Sequence, residues 1–212
     1  MKYKWKEIQE TVAKEAFITL VTEECSRFRK HVSRVQTQYK QIRKLRENLP
    51  DNEVLLWMDF AENYNCTSVE EVQSAYWNSQ MISLHTMVTY FPKNHQKQVQ
   101  SYVAMSDNLN HNATVVYCIL RQIVPLLKLE FPALRKIHYL TDSPSSQYRN
   151  KTIFKLVCDH EEEFGIIARW NYLETVHGKG PCDGLGASVK RMADIAVKQQ
   201  KWTIQDASDF YN

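Results

Sequence analysis

Glycine, proline and paired cysteines are scarce in this sequence. Only 5 of the 212 residues are glycine and 6 are proline, which excludes a low-complexity or linker-rich chain. The five cysteines are widely spaced and contain no C-x-x-C pair, so a zinc finger or disulfide framework is not expected and a reducing compartment fits. No apolar run reaches the roughly 18 residues that span a bilayer, and the N-terminus lacks the apolar segment of a secretory signal. We therefore expect no membrane partner.

The composition is that of a folded domain with a mild positive charge. Hydrophobic residues make up 43% of the chain and charged residues 24%, with a formal net charge of +3. This length supports one substantial core, and the charge allows a nucleic-acid partner without requiring one. The sequence contains neither a G-x-x-x-x-G-K-S/T nucleotide loop nor a G-x-S-x-G nucleophile elbow. We expect no organic cofactor and no serine-type hydrolase.

The first 48 residues contain no glycine or proline and have helical periodicity. An apolar stripe recurs at three- and four-residue steps and consists of Phe28, Val32, Val35, Tyr39 and Ile42. The opposite face is basic and contains Arg29, Lys30, Arg34, Lys40, Arg43, Lys44 and Arg46. That face is either solvated or an arm that binds DNA phosphates. Because Pro50 ends the helical pattern, we predict a helical extension over residues 1–50 and a core domain over 51–212.

After Pro50 the hydrophobic patterns alternate between strand and helix periodicity. Pro92 is expected to end the second strand, and Pro125 to kink or end the first helix. Serine at 145 or 146 and Thr203 are the predicted caps of later helices. The predicted strands are about 54–60, 82–90, 99–105, 136–140 and 166–172, and the predicted helices are about 112–127, 145–164, 183–198 and 203–210. The order β-β-β-α-β-α-β-α is that of a ribonuclease-H-like α/β fold with a mixed five-stranded sheet.

Three aspartates follow elements of this predicted sheet. Asp59 ends the apolar run that starts at Val54, Asp142 ends the one that starts at Ile137, and Asp183 follows a glycine-rich turn and opens a helix. In such a sheet the first and fourth strands are neighbours, so Asp59 and Asp142 lie at adjacent strand ends, and Asp183 leans over them. Carboxylate oxygens are preferred by Mg²⁺ and Mn²⁺, and paired ions of this kind cleave phosphodiesters. We predict a two-metal site for Mg²⁺ or Mn²⁺.

Several other side chains are candidates for the same site. Glu62 is a candidate accessory metal ligand, and Glu174 is the rival of Asp183 as the third acid. His177 is a candidate to contact a scissile phosphate or orient a water, with an ordinary loop histidine as the alternative. Lys179 lies between two glycines, which suits a phosphate contact. Contacts with the DNA backbone are also predicted at the start of the helix after Asp142, from Gln147, Arg149, Asn150 and Lys151.

Four segments carry a resemblance to a known family. They are Trp57–Tyr64, Ser106–His111, Thr141–Lys151 and His177–Gly186. Over about residues 28 to 212 the chain resembles the catalytic core of DDE/DDD-type, integrase-like transposases and transposon-derived proteins. The resemblance implies metal-dependent cleavage and joining of DNA strands, with Asp59, Asp142 and Asp183 as metal ligands. It also implies transposon ends and target DNA as partners, and a nuclear location. The third acid is Asp where the family more often has Glu.

Two other functions remain open on the same fold. No zinc-finger or helix-turn-helix DNA reader is evident, which favours a domesticated, non-catalytic module that binds DNA or protein. A two-metal nuclease, such as a ribonuclease or exonuclease, would use the same three acids. The sequence leaves a homo-oligomer open.

Overall fold

The structure is a computed structural model that describes residues 11–66, 80–93, 96–174, 180–200 and 202–212. The strands are β1 (Glu53–Phe60), β2 (Tyr64–Asn65), β3 (Met81–Lys93), β4 (Gln96–Ser106), β5 (Lys136–Thr141) and β6 (Ile167–Tyr172). The helices are α1 (Lys14–Glu47), α2 (Ala113–Glu130), α3 (Lys151–Phe164), α4 (Pro181–Lys198) and α5 (Ala207–Tyr211). Among these helices, none is both long and apolar enough to cross a membrane.

The strands form one mixed sheet in the order β4-β3-β1-β5-β6. β1, β3 and β4 are antiparallel neighbours, whereas β5 runs parallel to β1, and β6 runs parallel to β5. The short strand β2 pairs with the start of β3, so the sheet has six strands where five were predicted. The predicted α/β class and the predicted pairing of the first strand with the strand that ends before Asp142 are confirmed.

β1 is the central strand and is buried on both faces. On one face Val54, Leu56 and Met58 pack with residues of α2 and α3. On the other face Leu55 and Trp57 pack with Leu140 and Cys182 and with apolar residues of α1. Because each fully buried side chain of this size contributes about 1.5–3 kcal/mol, β1 is held firmly and gives the acid at its end a rigid support.

Two prolines do not end the elements in which they occur. β3 continues past Pro92, which pairs with Lys97 of β4. β1 pairs with β3 only as far as Tyr90, so Pro92 lies where β3 has lost its second neighbour and a missing N–H is tolerated. α2 continues through the exposed Pro125 to Glu130, because Val124 and Leu127 on either side of it are buried. The predicted ends of the strand at Pro92 and of the helix at Pro125 were wrong, and a kink at Pro125 stays a prediction.

Three helix starts also differ from the predictions. Asn150, rather than Ser145 or Ser146, caps α3 by accepting a hydrogen bond from the Ile153 N–H at 3.1 Å. Asp206, rather than Thr203, caps α5. α4 begins at Pro181 instead of Asp183. In each case the cap is the polar residue, or the glycine before a proline, that directly precedes the helix.

α1 is a single 34-residue helix with no buried residue. Its C-terminal part packs on the sheet through the half-buried Tyr39, Ile42 and Leu45. Polar contacts continue this attachment, since the Gln38 side chain donates to the Tyr172 carbonyl at 3.2 Å and accepts from the Glu174 N–H at 2.8 Å. Of the predicted helical extension over residues 1–50, Lys14–Glu47 is helical and residues 1–10 lie outside the described chain. The domain boundary near residue 50 stays a prediction.

Two glycines allow α4 to approach the end of β1 closely. A Cβ at Gly186 would lie 2.9 Å from the Ala61 Cβ, and a Cβ at Gly180 would lie 2.8 Å from the Trp57 ring. Such distances are shorter than normal carbon contacts, so a larger residue would displace the helix. Gly184 is also in α4, but a Cβ there would meet nothing within 4 Å.

We predict that Gly186→Val lowers the free energy of unfolding by about 1–3 kcal/mol because it overpacks the contact between α4 and Ala61. The matched variant Gly184→Ala should raise it by about 0.5–1 kcal/mol, since it improves helix propensity without a clash. Urea denaturation followed by circular dichroism measures both changes. Equal stability of the two variants would contradict the close approach of α4.

Candidate metal centre

Asp59 and Asp142 lie at the same level of two adjacent strands. In the parallel pairing of β1 with β5, Trp57 lies opposite Leu140, and each aspartate is two residues beyond its member of that pair. Side chains alternate between the faces of a strand, so both aspartates share the face of Trp57 and Leu140. That face is the one covered by α1 and α4.

α4 brings the third aspartate toward this pair. Cys182, the second residue of α4, is buried, and its thiol donates a hydrogen bond to the Trp57 carbonyl at 3.3 Å. With the close contacts of Gly180 and Gly186, this bond fixes the start of α4 against the end of β1. Asp183 thus directly follows Cys182, which contacts the backbone of Trp57, two positions before Asp59.

Burial and mutual repulsion raise the pKa of Asp59. Burial is the larger cause, and the negative charges of Asp142 and Asp183 add to it, so that the pKa is about 7 instead of 3.8. The pKa of Asp142 is also raised, first by burial and then by the charge of Asp183. No described lysine or arginine acts on either carboxyl. The three acids thus lie within electrostatic range of one another, and no lysine or arginine of the described chain compensates their charge.

The hydrogen bonding of these acids is incomplete. The Oδ1 atom of Asp142 is buried and has no hydrogen-bond partner among the described residues, which is unusual for a buried polar atom. Asp183 is exposed and accepts a hydrogen bond from the Gly180 N–H at 2.9 Å through Oδ2, as a helix-capping acid does. Across the described ranges, no three His, Cys, Asp or Glu side chains form a group that could hold a metal ion. The acids are close enough to interact, but Asp183 is engaged in capping its own helix.

A buried tyrosine that the sequence predictions missed supports the acid pair from the opposite face. Tyr148 is fully buried, its hydroxyl lies 3.0 Å from His85 Nε2, and its carbonyl accepts from the Tyr172 hydroxyl at 2.9 Å. Burial raises the pKa of Tyr148 well above its usual value, and the charges of Asp59 and Asp142 raise it further. Thr86 is a second missed neighbour: its hydroxyl donates to the Asp59 carbonyl at 3.1 Å. For Tyr148, the sequence offers one signal, which is its position between the segments that contain Asp142 and Asp183.

The two remaining acid candidates, Glu62 and Glu174, each lie near basic side chains. The Glu62 side chain is 96% exposed, and its carboxylate lies 3.7 Å from Lys190 Nζ. Glu174 accepts hydrogen bonds from Arg34 at 2.9 and 3.2 Å and lies 3.4 Å from His31 Nδ1. The hydrogen bond from Arg34 is the main cause that lowers the pKa of Glu174. Glu174 therefore anchors α1 to the segment after β6. His177 and Lys179 lie outside the described residues.

The predicted DNA contacts fall into two groups. On α1, Lys40, Arg43 and Lys44 are exposed, whereas Arg34 binds Glu174. Lys44 also lines a groove of about 350 Å³ between α1 and the sheet, with Leu140 and Arg169 on the other side.

The second group lies between β5 and α3. Arg149 and Lys151 are exposed and Gln147 is half-buried. The guanidinium of Arg149 lies 6.0 Å from the centre of the Tyr172 ring. Asn150 uses both side-chain atoms in the cap of α3, since its amide donates to the Ser145 and Gln147 carbonyls at 2.9 and 3.2 Å. This leaves Gln147, Arg149 and Lys151 available for a ligand.

Comparison with known proteins assigns a family to most of the chain. Residues 38–212 match the family model described as a domain of unknown function, DUF8701. The chain belongs to the DUF8701 family. The match begins within α1 and includes Asp59, Asp142 and Asp183. No curated protein matches the sequence.

One solved structure similar to this DUF8701 chain is the Mos1 transposase paired-end complex with left transposon end. The TM-score is 0.40 and the sequence identity is 11%. The match covers 100% of this chain and 61% of the Mos1 chain, so this chain spans less than two thirds of that protein's length.

We predict that Asp59→Asn stabilises the protein at pH 8 and flattens the dependence of stability on pH. Because the pKa of Asp59 in the folded state is about 7 instead of 3.8, the folded protein holds a proton that the unfolded chain has lost between these values. The wild type therefore loses stability as the pH rises through this window. Asparagine removes that loss, which we expect to be about 1–2 kcal/mol after screening by water. Chemical denaturation from pH 4 to pH 8 measures it.

Asp194→Asn is the matched control, because Asp194 is an exposed acid in α4. Its pH profile should follow that of the wild type. An Asp59→Asn profile that also follows the wild type would mean that the three acids do not repel one another in the folded protein.

Proposed function

We propose that this chain is a ribonuclease-H-like catalytic core that cleaves and joins DNA strands with divalent metal ions, in the manner of DDE/DDD-type transposases. The observation that carries the proposal is the mutual repulsion of Asp59, Asp142 and Asp183 at one edge of the sheet. A folded protein gains nothing in stability from collecting like charges without a counter-charge. Such a cluster is stabilised when cations bind it. The sequence resemblance of the four segments named above supports the same conclusion.

The residues present suit Mg²⁺ or Mn²⁺. Carboxylate oxygens are the preferred ligands of these hard ions, and the unpartnered Asp142 Oδ1 atom leaves a ligand position free. The nearby Cys182 thiol is not a competitor, because burial raises its pKa to about 12 and its S–H donates to a carbonyl. Asp59 and Asp142 would hold the ions, joined by Asp183 once its carboxylate leaves the cap of α4. When bound, the ions supply activation of a water or 3′-hydroxyl and stabilisation of the leaving oxygen.

The protein contributes position and proton balance to this chemistry. Asp59 and Asp142 are held at the ends of paired, buried strands, so the distance between them is set by the sheet. Because the pKa of Asp59 is about 7, this carboxyl is partly protonated at neutral pH and would release its proton to bind a cation. Tyr148, with its raised pKa, stays neutral behind the acids.

The basic surface on the same face suits the DNA backbone. Lys44 and Arg169 flank the groove between α1 and the sheet, and Leu140, in that groove, is two residues before Asp142. Arg149 and Lys151, at the start of α3, follow Asp142 by seven and nine residues and are exposed. Phosphates bound by these side chains would pass the edge that carries the acids. Their contribution to affinity would fall with salt concentration.

A second candidate function is a non-catalytic binding module on the same fold. It is favoured by the cap that Asp183 forms with Gly180 and by the incomplete ligand set in the described chain. A two-metal nuclease would use the same acids, and it would differ from a strand-transfer enzyme in its substrate and its products. Nuclear localisation, implied by the resemblance, stays a prediction.

We predict that the purified chain nicks supercoiled DNA in the presence of Mn²⁺ or Mg²⁺, and that Mn²⁺ raises its melting temperature. Asp59→Asn, Asp142→Asn and Asp183→Asn should each reduce nicking at least about a hundredfold, since even outer-shell partners of metals contribute 10–100-fold. Asparagine at 183 still accepts the Gly180 N–H, so this variant keeps the helix cap. Gel assays on plasmid, oligonucleotide duplex and RNA–DNA hybrid distinguish strand transfer from hydrolysis.

Glu62→Gln and Asp194→Asn are the controls, because both residues are exposed acids on or beside α4. They should leave nicking and melting unchanged. Stabilisation by Mn²⁺ without nicking would favour the binding module, and neither effect would contradict the metal site. Nicking by all three aspartate variants at the wild-type rate would identify a contaminating nuclease.

We predict that the triple variant with Lys40, Arg43 and Lys44 changed to Gln binds DNA more weakly and with a smaller dependence on salt. Each phosphate contact that is lost should reduce the slope of log K against log salt by about one. Fluorescence anisotropy with a labelled duplex at several salt concentrations measures this slope.

The matched control changes three exposed basic residues to Gln and so removes the same charge. They are Arg121 on α2, Arg135 just before β5 and Lys155 on α3. This control should retain the wild-type slope. If both triples lose the same affinity, net charge rather than the face of α1 attracts DNA.

A further inference from the structure

The apolar stripe of α1 extends well beyond the part of the helix that touches the sheet. From Ile18 to Ile42, apolar residues alternate at three- and four-residue steps without a break, as in the a and d positions of a coiled coil. Their order is Ile18, Val21, Cys25, Phe28, Val32, Val35, Tyr39 and Ile42. One helix thus carries a continuous seam of about three and a half heptads.

The two ends of this seam have different surroundings. Tyr39 and Ile42 pack against the sheet of their own chain. Ile18, Val21 and Phe28 are 53%, 41% and 64% exposed, and Cys25 is exposed as well. Nothing in the described part of the chain covers this N-terminal half, which we call the free seam. In proteins most helical stability comes from packing of an apolar face rather than from intrinsic propensity, so a partner on the free seam would stabilise this half of α1.

We propose that the free seam binds the free seam of a second copy of this chain as an antiparallel helix pair. The seam that already packs on the sheet continues without interruption into the free seam, so the same face has the spacing to pack at both ends. A second copy offers an identical seam, and two such faces interlock side chain into gap.

The position of the domain selects the antiparallel orientation. In a parallel pair, each helix would continue along the other past Val35, where the sheet already covers the seam at Tyr39 and Ile42. The partner helix would then collide with the domain. In an antiparallel pair the two domains lie at opposite ends, and only the free seams overlap.

The antiparallel register also pairs opposite charges. When Ile18 lies opposite the partner's Phe28 and Val21 opposite the partner's Cys25, Glu15 flanks the seam beside the partner's Arg29. The symmetry repeats this ion pair at the other end. Near the two-fold axis of the dimer, Glu24 approaches the partner's Glu24. In each helix the Arg27 guanidinium donates a hydrogen bond to the Glu24 carboxylate at 2.6 Å, which offsets this repulsion. Charged flanking residues of this kind select orientation in helix pairs.

We predict that the full chain exchanges between monomer and dimer in solution. Val21→Glu and Phe28→Glu should shift this equilibrium toward the monomer. A charge in the seam should raise the dissociation constant of the dimer more than about tenfold. Both residues are exposed in the single chain, so the variants should keep the wild-type circular dichroism and melting temperature of the monomer. Sedimentation equilibrium over about a hundredfold range of concentration measures the constant.

Leu20→Glu is the matched control, because Leu20 is 55% exposed on the same turn but lies outside the seam. It should leave the dimer intact. A wild type that stays monomeric over the whole range, or a dimer that Val21→Glu and Phe28→Glu leave unchanged, would overturn the proposal.

A charge-reversal test decides the orientation. Arg29→Glu should weaken the dimer because it faces the partner's Glu15. Adding Glu15→Arg to it should restore the dimer in the antiparallel arrangement. In a parallel pair, a flanking residue faces the partner residue five positions further along, so Glu24 would face the partner's Arg29. Restoration of the dimer by Glu24→Arg instead would therefore indicate a parallel pair and overturn the antiparallel proposal.

Discussion

The parallel pairing of β1 with β5 is the constraint on which the site depends. It holds Asp59 and Asp142 at matching positions of two buried strands, and neither backbone can move away without loss of core packing. Two carboxylates held in this way repel each other, and Asp183 adds a third charge. The fold therefore keeps a local electrostatic strain that burial of apolar residues elsewhere must offset. In the proposed function, this strain is the reason that cations bind.

The surroundings of the acids divide into rigid and adjustable parts. The strands, Tyr148 and the Cys182 thiol are buried and hydrogen-bonded. Asp183, in contrast, is exposed, and its carboxylate accepts a hydrogen bond from the Gly180 N–H, a cap that contributes about 1 kcal/mol. In the proposed function, this carboxylate would exchange the Gly180 N–H for a cation by rotation of its side chain. α1 is attached separately, through Glu174 and the apolar residues near Tyr39.

Some of this arrangement is readable from the sequence and some is not. The strands that end in Asp59 and Asp142 are short apolar runs bounded by turn residues, which is a strong local signal. Helix caps were harder, because Ser145, Ser146 and Asn150 compete within six residues and the turn at Pro144 decides between them. The role of Glu174 depends on Arg34, 140 residues away, and no local pattern reports such a contact. The cap that Asp183 forms with the Gly180 N–H was also not predicted, because the sequence pattern placed the start of α4 at Asp183 itself rather than at Pro181.

Anomalous diffraction from crystals of the full chain grown with Mn²⁺ tests the central claim most directly. The account predicts manganese peaks between Asp59 and Asp142, with the Asp183 carboxylate released from the Gly180 N–H and turned toward them. A map without manganese at this edge of the sheet, with Asp183 still capping α4 at a concentration of Mn²⁺ that saturates carboxylate sites, would contradict it.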